Sequence, residues 1–387
     1  MSDTDADRIS EREAWIVLSS VDGIGEILMP LLVSTFRGAR NVLAATRDGG
    51  VAAFNEDWRR RNGRPALNTP AFAELVAAAH DPAKLLGKLD ELGLWTYTSL
   101  DADYPPRLRD LDPPPAVIHG AGEPSHLCAD KIVAIVGTRR PTPDGRDLAG
   151  RVARRLVEFG AVVVSGLAVG IDGAAHAAVV EKDAPTIGVI GGGHLFPGPR
   201  AHRRLRGEVV AKGGAIISER YPTVHPTIGT YPRRNRIIAA LGDATIVIEA
   251  PRKSGALITA KAAMEIGRPV FVAPGRIGDW STVGSLNLLR ESPARPLVGI
   301  DELIEDLGFL KAPAGQTEAV VPLLQSLSPT ERAVAERLKV APAGLDALVA
   351  DTGLPPGTIS SAVTLLMLRG WAQSIGPAYA AAGPLAR

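Results

Sequence analysis

The stretch Ile132-Val-Ala-Ile-Val136, followed by Gly137-Thr-Arg-Arg140, decides the fold. Five apolar residues, most of them β-branched and ended by a glycine, fit a strand buried on both faces. The same pattern repeats downstream: runs rich in Val, Ile and Ala stand at 161–165, 186–190, 215–218, 244–249 and 269–273. Segments of helical spacing separate them, near 144–159, 171–181, 201–212, 234–241 and 256–266. In the first of these, Leu148, Val152 and Leu156 form one stripe while Arg151, Arg154 and Arg155 face elsewhere. Short apolar strands alternating with helices predict an α/β fold, a doubly wound parallel sheet covered on both faces.

Towards the N-terminus the period is helical. Trp15, Val17, Leu18 and Val21 precede Gly23-Ile-Gly25, and Leu28, Leu31, Leu32 and Phe36 resume the spacing beyond it. Two helices joined by a Gly-x-Gly turn outline a helix-hairpin-helix unit, whose turn offers backbone N–H groups to a phosphate or simply joins packed helices. The arginine-rich region 57–70 reads as a solvated loop. Towards the C-terminus, 310–325 reads as a linker. Ser328, Pro329 and Glu331 then give a capped helix start with a capping box. A second helix is expected at about 345–352, and a third from Thr358 to Arg369. Trp371 to Ser374 and Ala378 to Ala380 form a short wing. This is a small winged helix. Its third helix carries a basic residue only at Arg369, so a structural or protein-docking role is favoured over reading of bases.

Composition narrows the class. Of 387 residues 45% are apolar, which supports real cores. The 43 Lys and Arg against 42 Asp and Glu give a formal charge of +1, so any nucleic-acid contact must come from local patches. One cysteine, Cys128, excludes an internal disulfide and any multi-cysteine metal site. The first thirteen residues hold no apolar core of a secretory signal, and no stretch approaches a membrane span. A cytoplasmic protein without membrane insertion is expected.

The chemistry is expected beyond the carboxyl ends of the strands. Four glycine turns fall there: Gly137-Thr-Arg-Arg140, Ser165-Gly-Leu-Ala168 with Gly170-Ile-Asp172, Gly191-Gly-Gly193, and Ser254-Gly-Ala-Leu-Ile-Thr259. Such turns, each opening towards a helix, suit phosphate. No helix follows the glycines at 191–193 directly, and there is no Gly-x-x-x-x-Gly-Lys loop, which disfavours a dinucleotide or ATP. Arginines at 139, 140, 200, 203, 204, 206, 233, 234 and 236 spread along one rim instead, with Asn235 among them. That spread suits a single-stranded polymer better than one pyrophosphate. Phe196, Tyr221 and Tyr231 are the aromatics placed to stack on bases or to pack their loops. Asp172 and His176, four apart on one helical face, are open to two readings, an acid–base or metal pair and a helix brace. No third ligand stands at motif spacing.

Taken in order, these segments resemble a known family. The run Ala134-Ile-Val-Gly-Thr-Arg139, Val164-Ser-Gly-Leu-Ala-Val-Gly-Ile-Asp172, Tyr231-Pro-Arg-Arg-Asn-Arg-Ile-Ile238, Ser254-Gly-Ala-Leu-Ile-Thr-Ala260 and Gly267-Arg-Pro-Val-Phe-Val-Ala-Pro-Gly275 is similar to the DNA-processing protein A (Smf) family of bacterial natural transformation. The match covers roughly 100–306. It departs at Phe196, where a Tyr is usual, at Val169, where a basic residue is frequent, and at Ser292-Pro293.

The resemblance implies an extended Rossmann-like parallel sheet (96–309) between an N-terminal helical domain (1–95) and, past the linker, a winged-helix domain (326–387). It implies a non-enzymatic, cofactor-free protein that binds single-stranded DNA, forms a homodimer and helps load the RecA recombinase. The DNA-binding residues it implies, together with the rim read above, are Arg139, Ser165, Gly166, Phe196, Arg233, Arg234, Asn235, Arg236, Ser254, Gly255 and Thr259. Two rivals are a nucleotide-binding hydrolase of the lysine-decarboxylase-like phosphoribohydrolase type and a nucleotide-sensing signalling module. The hydrolase's usual Pro-Gly-Gly-x-Gly-Thr is absent, since Pro274-Gly275 continues into Arg276.

Overall fold

Alternation within the deciding stretch is visible in a computed structural model of the chain. Ile132, Ala134 and Val136 join the core on one face of the sheet, while Val133 and Ile135 join the core on the other. With both faces covered, nothing in the strand meets water, which is why the run is continuously apolar. The structure describes residues 9–309 apart from Pro197, Pro199 and Ile228, and 327–382 apart from Gly370, Gly376 and Pro377. The expected linker lies outside the described residues.

Six helices come first: α1 (Glu11–Ser19), α2 (Leu28–Phe36), α3 (Ala39–Arg47), α4 (Gly50–Asn62), α5 (Thr69–His80) and α6 (Pro82–Glu91). The turn between α1 and α2 carries Gly23, whose φ of +104° an L side chain rarely adopts. The region from Asp57 is not a loop as expected. α4 continues to Asn62, its arginines exposed and paired at i+3 and i+4 with Glu56 and Asp57. These pairs support a helix that its composition disguises.

Nine strands form the sheet: β1 (Trp95–Thr98), β2 (Val117–Gly122), β3 (Ile132–Val136), β4 (Val162–Ser165), β5 (Thr186–Val189), β6 (Ala215–Ser218), β7 (Ala244–Val247), β8 (Val270–Val272) and β9 (Arg295–Pro296). Their order is β1-β2-β6-β5-β4-β3-β7-β8-β9. The seven from β6 to β9 are parallel, and the β1–β2 hairpin adds antiparallel strands at one edge. The crossovers are α7 (Pro143–Glu158), α8 (Ile171–Val180), α9 (Arg203–Ala211), α10 (Thr230–Leu241), α11 (Gly255–Glu265) and α12 (Val283–Glu291), and α13 (Ile300–Asp306) follows the last strand. α7 and α8 cover one face, α10 and α11 the other. The chain runs outward from β3 to β6, then returns across β3 to β7. This reversal leaves a crevice at the carboxyl ends of β3, β4 and β7.

The chain divides after Phe309 into two compact units. The second contains α14 (Pro329–Val340), α15 (Leu345–Thr352), α16 (Pro356–Leu368) and a small sheet of β10 (Ala343–Gly344), β12 (Ala378–Ala381) and β11 (Ala372–Ile375), in that order. The capping box at Ser328 and Glu331 is formed as expected. This is the winged helix that the tail predicted. Arg369, the base on which DNA reading would depend, lies 3.4 Å from Glu331 and over the Trp371 ring.

Candidate nucleic-acid interface

Two adjoining hollows open at the strand ends, with Arg139, Ala168, Tyr231 and Arg234 in their shared wall. The larger, about 550 Å³, lies between the loop after β3 and the start of α11; it is lined by Thr138, Arg140, Asn235, Lys253, Ser254 and Thr259 among others. The smaller, about 90 Å³, reaches Gly191, Gly192, Phe196, His202 and Arg206. Arg139 is exposed, and its guanidinium stands 5.5 Å from the centre of the Tyr231 ring. This cation–π contact holds the arginine upright on the dividing wall.

The loops that form these walls are pinned from behind. Ile171 N–H donates to the Thr138 carbonyl at 3.2 Å, and a Cβ on Gly170 would fall 2.3 Å from the same oxygen. Thr138 N–H donates to the Glu249 carbonyl, while the Glu249 carboxylate accepts from Thr142, the N-cap of α7. First and second glycine turns are thus locked together at the end of β7.

The predicted residues divide into those that line the hollows and those that build them. Arg139, Gly166, Phe196, Asn235, Ser254, Gly255 and Thr259 line one or the other. Phe196 already stacks on His225, with ring centres 3.7 Å apart. Asn235 donates to the Gly255 carbonyl at 3.0 Å and ties α10 to the start of α11, where Ser254 accepts from Ala256 N–H as N-cap. Ser165 is turned away: fully buried, its hydroxyl donates to the Ile135 carbonyl at 2.5 Å. A Ser after a central strand can bond either ligand or sheet, and here the adjacent strand claims it.

The arginine run also departs from expectation. α10 begins at Thr230, four residues earlier than its apolar spacing indicates, because Pro232 is tolerated in a first turn that lacks intrahelical N–H bonds. The arginines therefore radiate at about 100° per residue instead of lining one rim. Arg233 points outward, 3.4 Å from Glu26. Arg236 pairs with Glu219 at 2.5 Å and donates to the Pro113 carbonyl. Arg234 is 7% exposed and donates to the Gly166 and Val189 carbonyls, which makes it a bracket beneath the second glycine turn.

Asp172 completes that bracket. Its carboxylate accepts from Gly166 N–H at 3.2 Å, and a Cβ on Gly166 would lie 2.7 Å from both Asp172 Oδ2 and Arg234 Nη2. Burial raises the Asp172 carboxyl against the pull of Arg234, and burial lowers Arg234 to about 10, so this guanidinium stays charged at neutral pH. His176 bonds Thr186 on β5 through Nδ1 at 2.9 Å, and burial lowers it to about 3. Asp172 and His176 therefore serve the scaffold. Among the described residues no group of three His, Cys, Asp or Glu gathers to hold a metal ion, and no helix is long and apolar enough to cross a membrane.

Other residues join the site unannounced. Lys253 precedes the α11 cap, and Trp280 forms the far wall of the larger hollow, 59% exposed. The signal for both was position: each lies just past a strand end, in a segment with no apolar period to bury it. Arg206 donates to His194, and His202 bonds the Leu167 carbonyl, so the arginine cluster after the third glycine turn is partly structural.

Comparison with known proteins bears on this arrangement. The family described as DNA recombination-mediator protein A matches residues 95–308, and the DprA winged helix domain matches 318–376. Protein Smf of Synechocystis is 31% identical over 93% of this chain and 96% of its own. DNA processing protein DprA of Bacillus subtilis is 36% identical over 58% of this chain and 75% of its own. Among solved structures, DprA of Streptococcus pneumoniae aligns with a TM-score of 0.56 at 30% identity, over 68% of this chain and 95% of that one. DNA processing protein A of Helicobacter pylori, described with its single-stranded DNA binding mode, aligns at 0.51 and 32%, over 55% and 95%. A strand-end trough walled by these glycine turns, matched in sequence along nearly its whole length, places the chain in the DNA-processing protein A (DprA/Smf) family.

Proposed function

We propose that the protein binds single-stranded DNA along the two hollows, protects incoming DNA, and hands it to a RecA-type recombinase in natural transformation and recombination. The observation that carries this reading is the larger hollow's rim. Arg139, Arg140 and Lys253 stand there with no ion pair among the described residues, beside the capped N-terminus of α11. Unpaired cations beside free helix N–H groups suit backbone phosphates. Binding and handover, without bond chemistry, fit a site whose one acid–base candidate is committed to structure. The protein acts in the cytoplasm as a homodimer, its sheet domain carrying the DNA and its winged helix free for protein contact. Arg139, Gly166, Asn235, Ser254 and Gly255 contact the strand, while Ser165, Arg234 and Arg236 hold the walls.

The test is fluorescence anisotropy of a labelled oligonucleotide of about 40 nucleotides, single- and double-stranded, across a salt series. Salt-sensitive binding that prefers the single strand supports the reading. Folded protein that binds neither at low salt overturns it, and a nucleotide-hydrolysis assay then takes precedence. Light scattering checks the dimer, and strand-exchange assays check recombinase loading.

A further inference from the structure

The cationic rim accounts for phosphates but not for a preference for single strands, because a duplex presents phosphates too. The far wall of the larger hollow differs in chemistry. Trp280 is 59% exposed there and faces the same space as Arg140 and Lys253. Its display is built into the loop. The next two residues, Ser281 and Thr282, are buried, and Thr282 N–H donates to the Asp279 carbonyl at 3.2 Å. At the loop's base a Cβ on Gly275 would lie 2.2 Å from Thr282, so the two ends close on each other and only glycine fits. Buried anchors on one side and an outward indole on the other hold a large apolar face against water, beside cations and within the hollow.

We propose that Trp280 is a base-stacking platform that gives this site its preference for unpaired strands; the inference rests on the proposed single-stranded-DNA function. An indole face is sequence-tolerant, since every base has a π-face to lay on it. Bases in a duplex are already stacked on their neighbours and cannot reach it. Phosphates on either side of the stacked base fall to Arg140 and Lys253. Trp280 is thus a specificity-determining residue, separate from the charges that supply general affinity.

The experiment compares full-length wild type, Trp280→Ala and Trp280→Phe on three probes: an oligothymidine of about 20 nucleotides, a duplex of equal length, and an abasic strand of equal length. Trp280→Ala is expected to weaken oligothymidine binding about 5- to 150-fold, leaving duplex and abasic binding unchanged, and Trp280→Phe to recover most of the loss. Intrinsic tryptophan emission should be quenched by oligothymidine in wild type and largely lose that quench in Trp280→Phe. Unchanged affinity of Trp280→Ala for oligothymidine, or an equal loss on the abasic strand, overturns the platform and leaves the DNA-binding reading standing. Wild type that binds none of the probes overturns both.

Discussion

Arg234 has almost no surface of its own, and its charge is answered by Asp172 inside the protein. Its guanidinium is the buried donor to the Gly166 and Val189 carbonyls, so Arg234→Ala, which leaves both unsatisfied, is expected to lower stability by about 2–6 kcal/mol in chemical denaturation. Its effect on DNA is then inseparable from its effect on the fold. Arg139 behaves oppositely. It is exposed, with no ion pair among the described residues and only the Tyr231 ring contact to lose, so Arg139→Ala should keep unfolding within about 1 kcal/mol of wild type. It should still weaken single-strand binding and lower the salt slope by about one, as read in anisotropy across salt. Histidines set the acid limit. Burial holds His119 and His176 down to about 3, against an ordinary 6.5. Between those values the unfolded chain takes up protons that the folded one refuses. Stability is therefore full above pH 6.5 and falls as pH drops towards 3, by about 1.4 kcal/mol per pH unit for each ring. Asp172 and Glu219, raised by burial, oppose this trend at the acid end. Urea unfolding at pH 7.5 and 5.5 should show the loss, and His119→Gln should flatten it.

Elements were readable in the sequence where one periodicity dominated. The strand from Ile132 to Val136, the helices at 144–159 and 345–352, and the Ser328 capping box stand within a residue or so of their expected places. α4 and α10 were misread for one reason: arginine runs obscured the apolar spacing, although arginine is itself a good helix former. Once α10 starts at Thr230, helix geometry alone sends Arg233, Arg234 and Arg236 in different directions. Turns between elements hold the site, and Gly170 is one of the tight ones. Its φ is +95° and a Cβ would strike the Thr138 carbonyl. Gly170→Ala should cost about 2–3 kcal/mol, whereas Gly160→Ala, also at positive φ but in open space, should cost about 1 kcal/mol. Thermal melts of the two variants make the comparison.

At the scale of the molecule, the expected boundary near residue 95 is no break in packing. Helices α1 to α6 share their core with Val117, Tyr221 and Val224, and the Tyr221 hydroxyl donates to the Leu85 carbonyl at 2.7 Å. A chain beginning at residue 96 should therefore expose apolar surface and aggregate. One ending at 309 should unfold cooperatively and keep its DNA affinity, as size-exclusion chromatography and anisotropy would report. The sequence by itself determined the doubly wound sheet, the winged tail, the family and the strand-end position of the glycine turns. Apolar periodicity and glycine spacing are local properties, and a strand covered on both faces admits few alternatives. Only the tertiary structure decided which polar side chains face the hollow. Arg139 and Arg234 are the same residue type, yet one stands on a tyrosine in open space and the other is buried on the Gly166 and Val189 carbonyls. That choice depends on partners distant in the chain, so spacing could not reveal it. Trp280 entered the site in the same way, through a loop whose ends meet only after the sheet has formed.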